Sequence, residues 1–321
     1  MILKEVVESP KMEQLRLILK RYPLEMSVRK EMENELARSL AGFKGEKSLQ
    51  YHLNLLPSED CLIFHDLRIP HGNYHFQLDI LIMTTSFFLI IEVKNMAGTL
   101  IFDREFNQLH RIINNIEETF PDPISQLYRQ TFLLREWLKR HHYPDIPVES
   151  IVIISNPNTS IKSTPGEKLL SVTHSSYLLP TFHTYQKTHQ YEVLSRKELK
   201  KISRQLLKQH TPSSPDLYQQ FNIKKKDIIK GVRCDGCDTI SMIRLKRKWF
   251  CLQCGHTNKF AHVESLKEYA QLINPTITTR ECCDFLKVPS QDCVKHLLST
   301  LHLPTSKIKR KNIYHLDGLF V

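Results

Sequence analysis

A chain of 321 residues with 41% hydrophobic content can bury one sizeable core and one or two small modules. It has no run of 18 apolar residues, which excludes a helical membrane span. Its 45 Lys and Arg against 34 Asp and Glu, a net charge of +11, suit a polyanionic partner. The start of the chain lacks a signal-peptide pattern, and the cysteine usage suits a reducing compartment, so a cytoplasmic location is expected.

Taken in order, residues 11 to 40 read as two helices broken near Tyr22-Pro23. Leu49, Leu53 and Leu56 then recur at near-helical spacing, which predicts an amphipathic helix with Glu46 in its first turn, where the dipole favours negative charge. In Tyr74 to Ile82 a strand alternation places Tyr74, Phe76, Leu78, Ile80 and Ile82 on one face and His75, Gln77 and Asp79 on the other. His75 has no assigned role and is read as a surface histidine. The turn Thr84-Thr85-Ser86 predicts an antiparallel pair with the following run, Phe87 to Ile91. That run ends in Glu92-Val93-Lys94. Glu92 and Lys94 point the same way, and Asp79 falls beside Glu92.

A lone Glu-x-Lys is most often a solvated or paired strand end. Here Gln77, Asp79, Glu92 and Lys94 sit inside two of the most apolar stretches of the chain. Unpaired carboxylates there cost on the order of several kcal/mol. A divalent cation and a lysine would compensate them.

Further on, a helix from Asp122-Pro123 to Trp137 is expected to cover the sheet, and Val148 to Ile154 to form a late buried strand. Residues 161 to 193 are weakly patterned. Thr211-Pro212-Ser213-Ser214-Pro215 is the clearest linker.

Cys234-x-x-Cys237 and Cys251-x-x-Cys254, with 13 residues between the pairs, have the spacing of a closed tetrahedral Zn²⁺ site. Four cysteines leave no open position, so the metal is expected to be structural. Ile240 to Phe250 would form a short hairpin, and the zinc would supply most of the folding energy of so small a piece. Cys61, Cys282, Cys283 and Cys293 read as buried thiols.

In the tail, Glu264 to Ile273 reads as a helix ended by Asn274-Pro275. Thr278 to Glu281 is a capping box opening a short helix, and Pro289-Ser290 starts another, striped by Val294, Leu297, Leu298 and Leu301. These helices with a basic hairpin at Leu303 to Leu316 resemble a winged helix-turn-helix; a helical docking module is the alternative. Residues 194 to 260 hold 16 Lys and Arg against 5 Asp and Glu, so the whole net charge lies in that window. Lys224, Lys225 and Lys226, Lys246, Arg247 and Lys248, and Lys309, Arg310 and Lys311 are candidate phosphate contacts.

Gly45-Glu46, Gln77-Leu78-Asp79 and Glu92-Val93-Lys94-Asn95, in that order, resemble the nuclease-related domain (NERD) family, itself similar to the PD-(D/E)xK restriction-endonuclease superfamily. The likeness covers roughly residues 38 to 160. It extends to Gly98 with Ile101-Phe102-Asp103, to Pro123-Ile124 with Gln126, and to Val152 to Asn156. Leu78 stands where the superfamily signature has proline. The resemblance implies an α/β fold, a mixed sheet flanked by helices. It implies that Asp79 and Glu92 bind Mg²⁺ or Mn²⁺ and that Lys94 orients the attacking water. Glu46 would assist through a water or a second metal, and Gln77 would position water or substrate.

The division expected is a helical segment at 1–37, the nuclease-like domain at 38–160, a connecting region with a basic linker at 161–230, a zinc ribbon at 231–260 and the winged-helix-like module at 261–321. The function expected is metal-dependent hydrolysis of DNA. The alternatives are a DNA-binding regulator with an inactive nuclease-like domain, and a nuclease directed at RNA.

Overall fold

Two central strands, Tyr74–Met83 and Phe88–Lys94, are apolar on both faces: Ile80 to Met83 and Phe88 to Ile91 are all fully buried. Such strands must be covered on both sides. In the computed structural model, which describes residues 1–320 except 58, 60, 165–168, 170, 214, 309 and 310, helices cover both faces.

The chain divides into two units, Met1–Glu8 with Ala37–Ser213, and Ser9–Leu36 with Ser214–Val321. The boundary near residue 213 falls in the Pro- and Ser-rich stretch. The helix Met26–Ser48 gives residues 26–36 to the second unit and 37–48 to the first.

The first unit is built on a six-stranded mixed sheet. Its order is Ile2–Lys4, Leu62–His71, Tyr74–Met83, Phe88–Lys94, Val148–Ile154, Val172–His174. The three inner pairings of Leu62–His71 through Val148–Ile154 are antiparallel, antiparallel and parallel. One face packs on Leu127, Leu134 and Trp137 of the helix Pro123–Arg140 and on Ile202 and Leu206 of the helix Arg196–Gln209. The other packs on Leu49, Leu53 and Leu56 and on Leu178 and Phe182. A second, four-stranded sheet runs Ile116–Pro121, Gln108–Ile113, Thr99–Asp103, Ser160–Ser163.

Two local expectations change. Phe76 and Leu78 enter one core with Leu81 and Met83, while Ile80 and Ile82 enter the other, and Tyr74 is exposed. The alternation inverts between Leu78 and Ile80 because the paired strand kinks at Asp66, whose φ is +47°. Glu46 does not begin a helix. It lies in the last turn of Met26–Ser48, which runs through Gly42 and Gly45. Gly45 is where this helix meets the strand ends: a Cβ there would come within 2.7 Å of Asn95 Cβ and 3.0 Å of Ser155 Oγ.

The second unit has one core in which Leu15 and Ile18 of the helix Pro10–Arg21 pack with Trp249, Leu266, Tyr269, Phe285 and Leu298. Arg21 is fully buried there. It bonds Glu268 and donates to the carbonyls of Ile229 (2.9 Å) and Gly231 (3.2 Å). A small sheet holds the hairpin Met242–Leu245 with Lys248–Cys251, and Thr257–Asn258. The tail follows as helix Ala261–Leu272, strand Thr276–Thr278, helices Thr279–Leu286 and Gln291–Ser299, and strands Thr305–Ile308 and Lys311–His315. The capping box at Thr278 and Glu281 forms in both directions. Cys61 and Cys282 are buried, whereas Cys283 and Cys293 are only partly so.

Candidate active site

Asp79 and Glu92 follow the point where Tyr74–Met83 and Phe88–Lys94 part company: their ladder runs from Met83↔Phe88 to Ile80↔Ile91, and the Glu92 charge acts on Asp79. Beyond that point Asp79 Oδ2 replaces a ladder carbonyl and accepts from Val93 N at 2.9 Å. Glu92 is buried and, among the described residues, takes its side-chain bonds from one ammonium and two amides. Its Oε1 accepts from Lys94 Nζ (2.7 Å), and its Oε2 accepts from Gln126 Nε2 (2.7 Å) and Gln130 Nε2 (2.9 Å).

Gln126 and Gln130 are one turn apart on Pro123–Arg140, so that helix presents both amides to one carboxylate. The helix is aimed by Asp122, which caps it through Ile124 N and Ser125 N and pairs with Arg104 (2.9 Å). Burial works against the Asp122 charge, but these bonds hold its carboxyl below the ordinary range.

The acids of the site are crowded. Burial raises Glu46 to about 8, aided by the charges of Asp79, Asp66 and Glu92 and opposed by Lys4. Burial and then the Glu92 charge push Asp79 up as well, against the Val93 bond and Lys94. Crowded, desolvated carboxylates are the setting a cation would relieve. Among the described residues, however, Glu46, Asp79 and Glu92 do not bring three oxygens within 4.8 Å of one another.

Gln77 is exposed and donates to Asp66 Oδ1 at 2.6 Å, while its own carbonyl accepts from Gln130 Nε2 at 3.0 Å. Asp66 also lies 3.6 Å from Lys4 Nζ. Sequence reading passed over Asp66 and Gln130. The signal for the first was a His65-Asp66 break inside the apolar run Leu62 to Ile69; for the second, the repeat of Gln126 four residues on. His75 is exposed and pairs with Pro70 on the neighbouring strand.

In the second unit the sulfurs of Cys234, Cys237, Cys251 and Cys254 all lie within 4.8 Å of one another, the donor set for one tetrahedral Zn²⁺. Cys234 approaches Cys254 at 3.7 Å and Cys237 approaches Cys251 at 3.6 Å. The hydrogen-bonded Ser241 hydroxyl (3.1 Å) pulls the Cys251 thiol down, which favours the thiolate a metal needs. The two knuckles are joined by the Met242–Leu245 and Lys248–Cys251 hairpin. Val232, Cys234, Met242, Trp249 and Cys251 also belong to the core of the unit, so packing helps to hold this segment.

Lys224, Lys225 and Lys226 are exposed, with Lys225 Nζ 5.4 Å above the Tyr218 ring. Lys246, Arg247 and Lys248 are exposed at the hairpin tip. Lys309 and Arg310 lie outside the described residues, as does the side chain of Lys311. Among the described residues no helix is long and apolar enough to cross a membrane.

Residues 41–155, the span that contains Glu46, Asp66, Asp79, Glu92, Lys94, Gln126 and Gln130, match the family described as the nuclease-related domain (NERD). Neither the curated proteins nor the solved structures gave a match.

Proposed function

From the nuclease-related domain that residues 41–155 carry, we propose that this protein is a divalent-cation-dependent nuclease hydrolysing phosphodiester bonds of DNA. The observation that carries this is the crowding of Asp79, Glu92 and Glu46, carboxylates whose charges act on one another, with the Lys94 ammonium bonded to Glu92 at 2.7 Å. Hard oxygen donors of this kind suit Mg²⁺ or Mn²⁺. Such a cation, held by Asp79 and Glu92, would withdraw charge from the phosphoryl oxygens.

The chain's own groups supply the rest. Lys94 orients water and offsets charge developing at phosphorus. Gln126 and Gln130 fix the rotamer of Glu92. Gln77, steadied by Asp66, positions water or substrate. Glu46 adds the third carboxylate.

The second unit is read as the DNA-targeting part. The order helix, strand, two helices, strand, strand over residues 261–320 supports a winged helix. The four cysteines support a structural zinc ribbon bearing exposed cations at its tip.

A second reading, a nuclease-like domain that binds but does not cut, is favoured by one observation: three carboxylate oxygens do not converge within 4.8 Å. The deciding experiment is nicking of supercoiled plasmid by purified protein with Mg²⁺ or Mn²⁺, against Asp79→Ala. Metal-dependent nicking lost in the variant is expected. Tight DNA binding with no cleavage of DNA or RNA under either metal gives the case to the second reading.

A further inference from the structure

The helix Arg196–Gln209 has two unlike faces. Leu199, Ile202 and Leu206 are buried against the nuclease sheet. Lys197, Lys201, Arg204 and Lys208 recur at i, i+4, i+7 and i+11, so they share the other face. These four line an open groove of about 620 Å³ together with Gln205 and Gln209. Among the described residues none of the four is held in an ion pair. The one acid of the helix, Glu198, is taken up by Ser195 in the capping box. Lys201 stands 5.7 Å over the Tyr143 ring, which leaves its charge in place.

The groove is rigidly mounted. Tyr143 Oη donates to Gln205 Oε1 (2.5 Å), and Trp137 Nε1 donates to Gln209 Oε1 (2.8 Å). Its C-terminal end is stitched to the candidate site through one residue. Arg68 N donates to His210 Nδ1 (3.1 Å), Thr211 N to Arg68 O (2.9 Å), and Arg68 Nη1 to Thr211 O (3.1 Å). Arg68 pairs across the strands with Gln77, the residue that bonds Asp66 beside Asp79. A cationic row therefore ends next to the crowded carboxylates.

We propose that this face of Arg196–Gln209 binds the phosphodiester backbone of the nucleic acid and leads it to the Asp79–Glu92 cleft. The inference rests on the nuclease reading for its direction and not for the binding itself. From Lys197 to Lys208 the helix rises about 16 Å, roughly five nucleotide steps of one strand. Exposed cations at that length match a polyphosphate, and they carry no base-reading pattern. Apart from Leu207, which is 37% exposed, the apolar residues of the helix point inward, so the face offers little to insert into a bilayer.

The test uses full-length protein with no divalent cation added, so that no substrate is cut. Fluorescence anisotropy follows binding of a labelled duplex between 50 and 200 mM salt, with anionic phosphatidylserine vesicles as the competing surface. K201A/R204A/K208A should bind DNA at least tenfold more weakly and flatten the log–log salt slope by about 3. K201R/K208R should bind like wild type. If the triple variant is misfolded by circular dichroism, the single charge reversal Arg204→Glu is read instead. Unchanged affinity and slope in a folded variant overturn the proposal, and so does loss of vesicle binding with DNA binding intact. A protein that never cuts yet shows the expected losses refutes the catalytic reading and leaves this one standing.

Discussion

Lys94 Nζ reaches back 2.7 Å to Oε1 of Glu92, two residues earlier on the same strand, so the cation and the buried anion are fixed by one backbone. Removing the ammonium should not disturb the strand, because Glu92 keeps its two glutamine donors. Lys94→Ala should therefore lose at least 10²-fold in cleavage rate while DNA affinity, read without divalent cation, changes less than twofold. Cleavage within a factor of three of wild type would remove Lys94 from the chemistry.

Asp79 is held against its own preference. Its pKa is raised, so at neutral pH its charge opposes folding, a cost absent below its unfolded pKa and present above its folded one. Asn at this position keeps an acceptor for Val93 N and drops the repulsion with Glu92. Asp79→Asn should be inactive yet melt about 2–4 °C higher than wild type at pH 7.5 without divalent cation. A lower melting temperature would show that the acid is structural.

Gln130 touches no solvent to speak of, and its amide bridges Glu92 Oε2 and the Gln77 carbonyl. Its effect on any reaction is through Glu92. Gln130→Leu should weaken activation by Mn²⁺ roughly 10-fold, seen as a rightward shift of the metal titration. Gln130→Glu should not rescue it, since a second acid beside Glu92 repels. A purely structural role would lower stability and leave the midpoint of the metal titration in place.

His65 is fully buried, with neither ring nitrogen bonded among the described residues, and burial with the nearby Lys4 charge holds it down to about 4 from 6.5. As pH falls through 6.5 the unfolded chain takes up this proton first. Stability is therefore complete above that value and is lost between 6.5 and 4, by about 3 kcal/mol at the most. His65→Leu should flatten urea-denaturation stability over that window. Parallel pH curves for variant and wild type would assign the acid sensitivity elsewhere.

For zinc, elemental analysis of protein purified under reducing conditions should give one ion per chain, and Cys237→Ser should lose it. Chelation should shift Trp249 emission without abolishing the helical circular dichroism of the second unit, because Trp249 shares its core with Leu266 and Phe285. Metal-free protein with wild-type stability would contradict the assignment.

Much of the local arrangement of the candidate site was legible because it is local in sequence. The turn at Thr84 to Ser86 and a period of two place Asp79 near Glu92 without any knowledge of the third dimension. The helix pattern after Asp122-Pro123 and the capping box at Thr278 were equally local. What escaped was set by packing. The kink at Asp66 comes from a left-handed backbone that Asp tolerates, and hydropathy does not record it. Glu46 reads as a residue of a first helical turn, although it lies in the last turn of a continuous helix in which Gly45 serves close approach. Gln130 reads as any polar helical residue, because nothing local in sequence marks Glu92, 38 residues away, as its partner.

The buried pair of Arg21 and Glu268 spans 247 residues of sequence. At about 5–20 residues per second, synthesis leaves Arg21 waiting roughly 12–50 s for its partner. For that interval Leu15 and Ile18 have no Tyr269 or Phe285 to cover them. The nuclease-related span is complete long before, so the growing chain carries a finished sheet while the apolar side of Pro10–Arg21 is still uncovered. A nascent chain stalled before residue 268 should be a chaperone client through residues 10–21, although nothing in that short segment looks hazardous by composition.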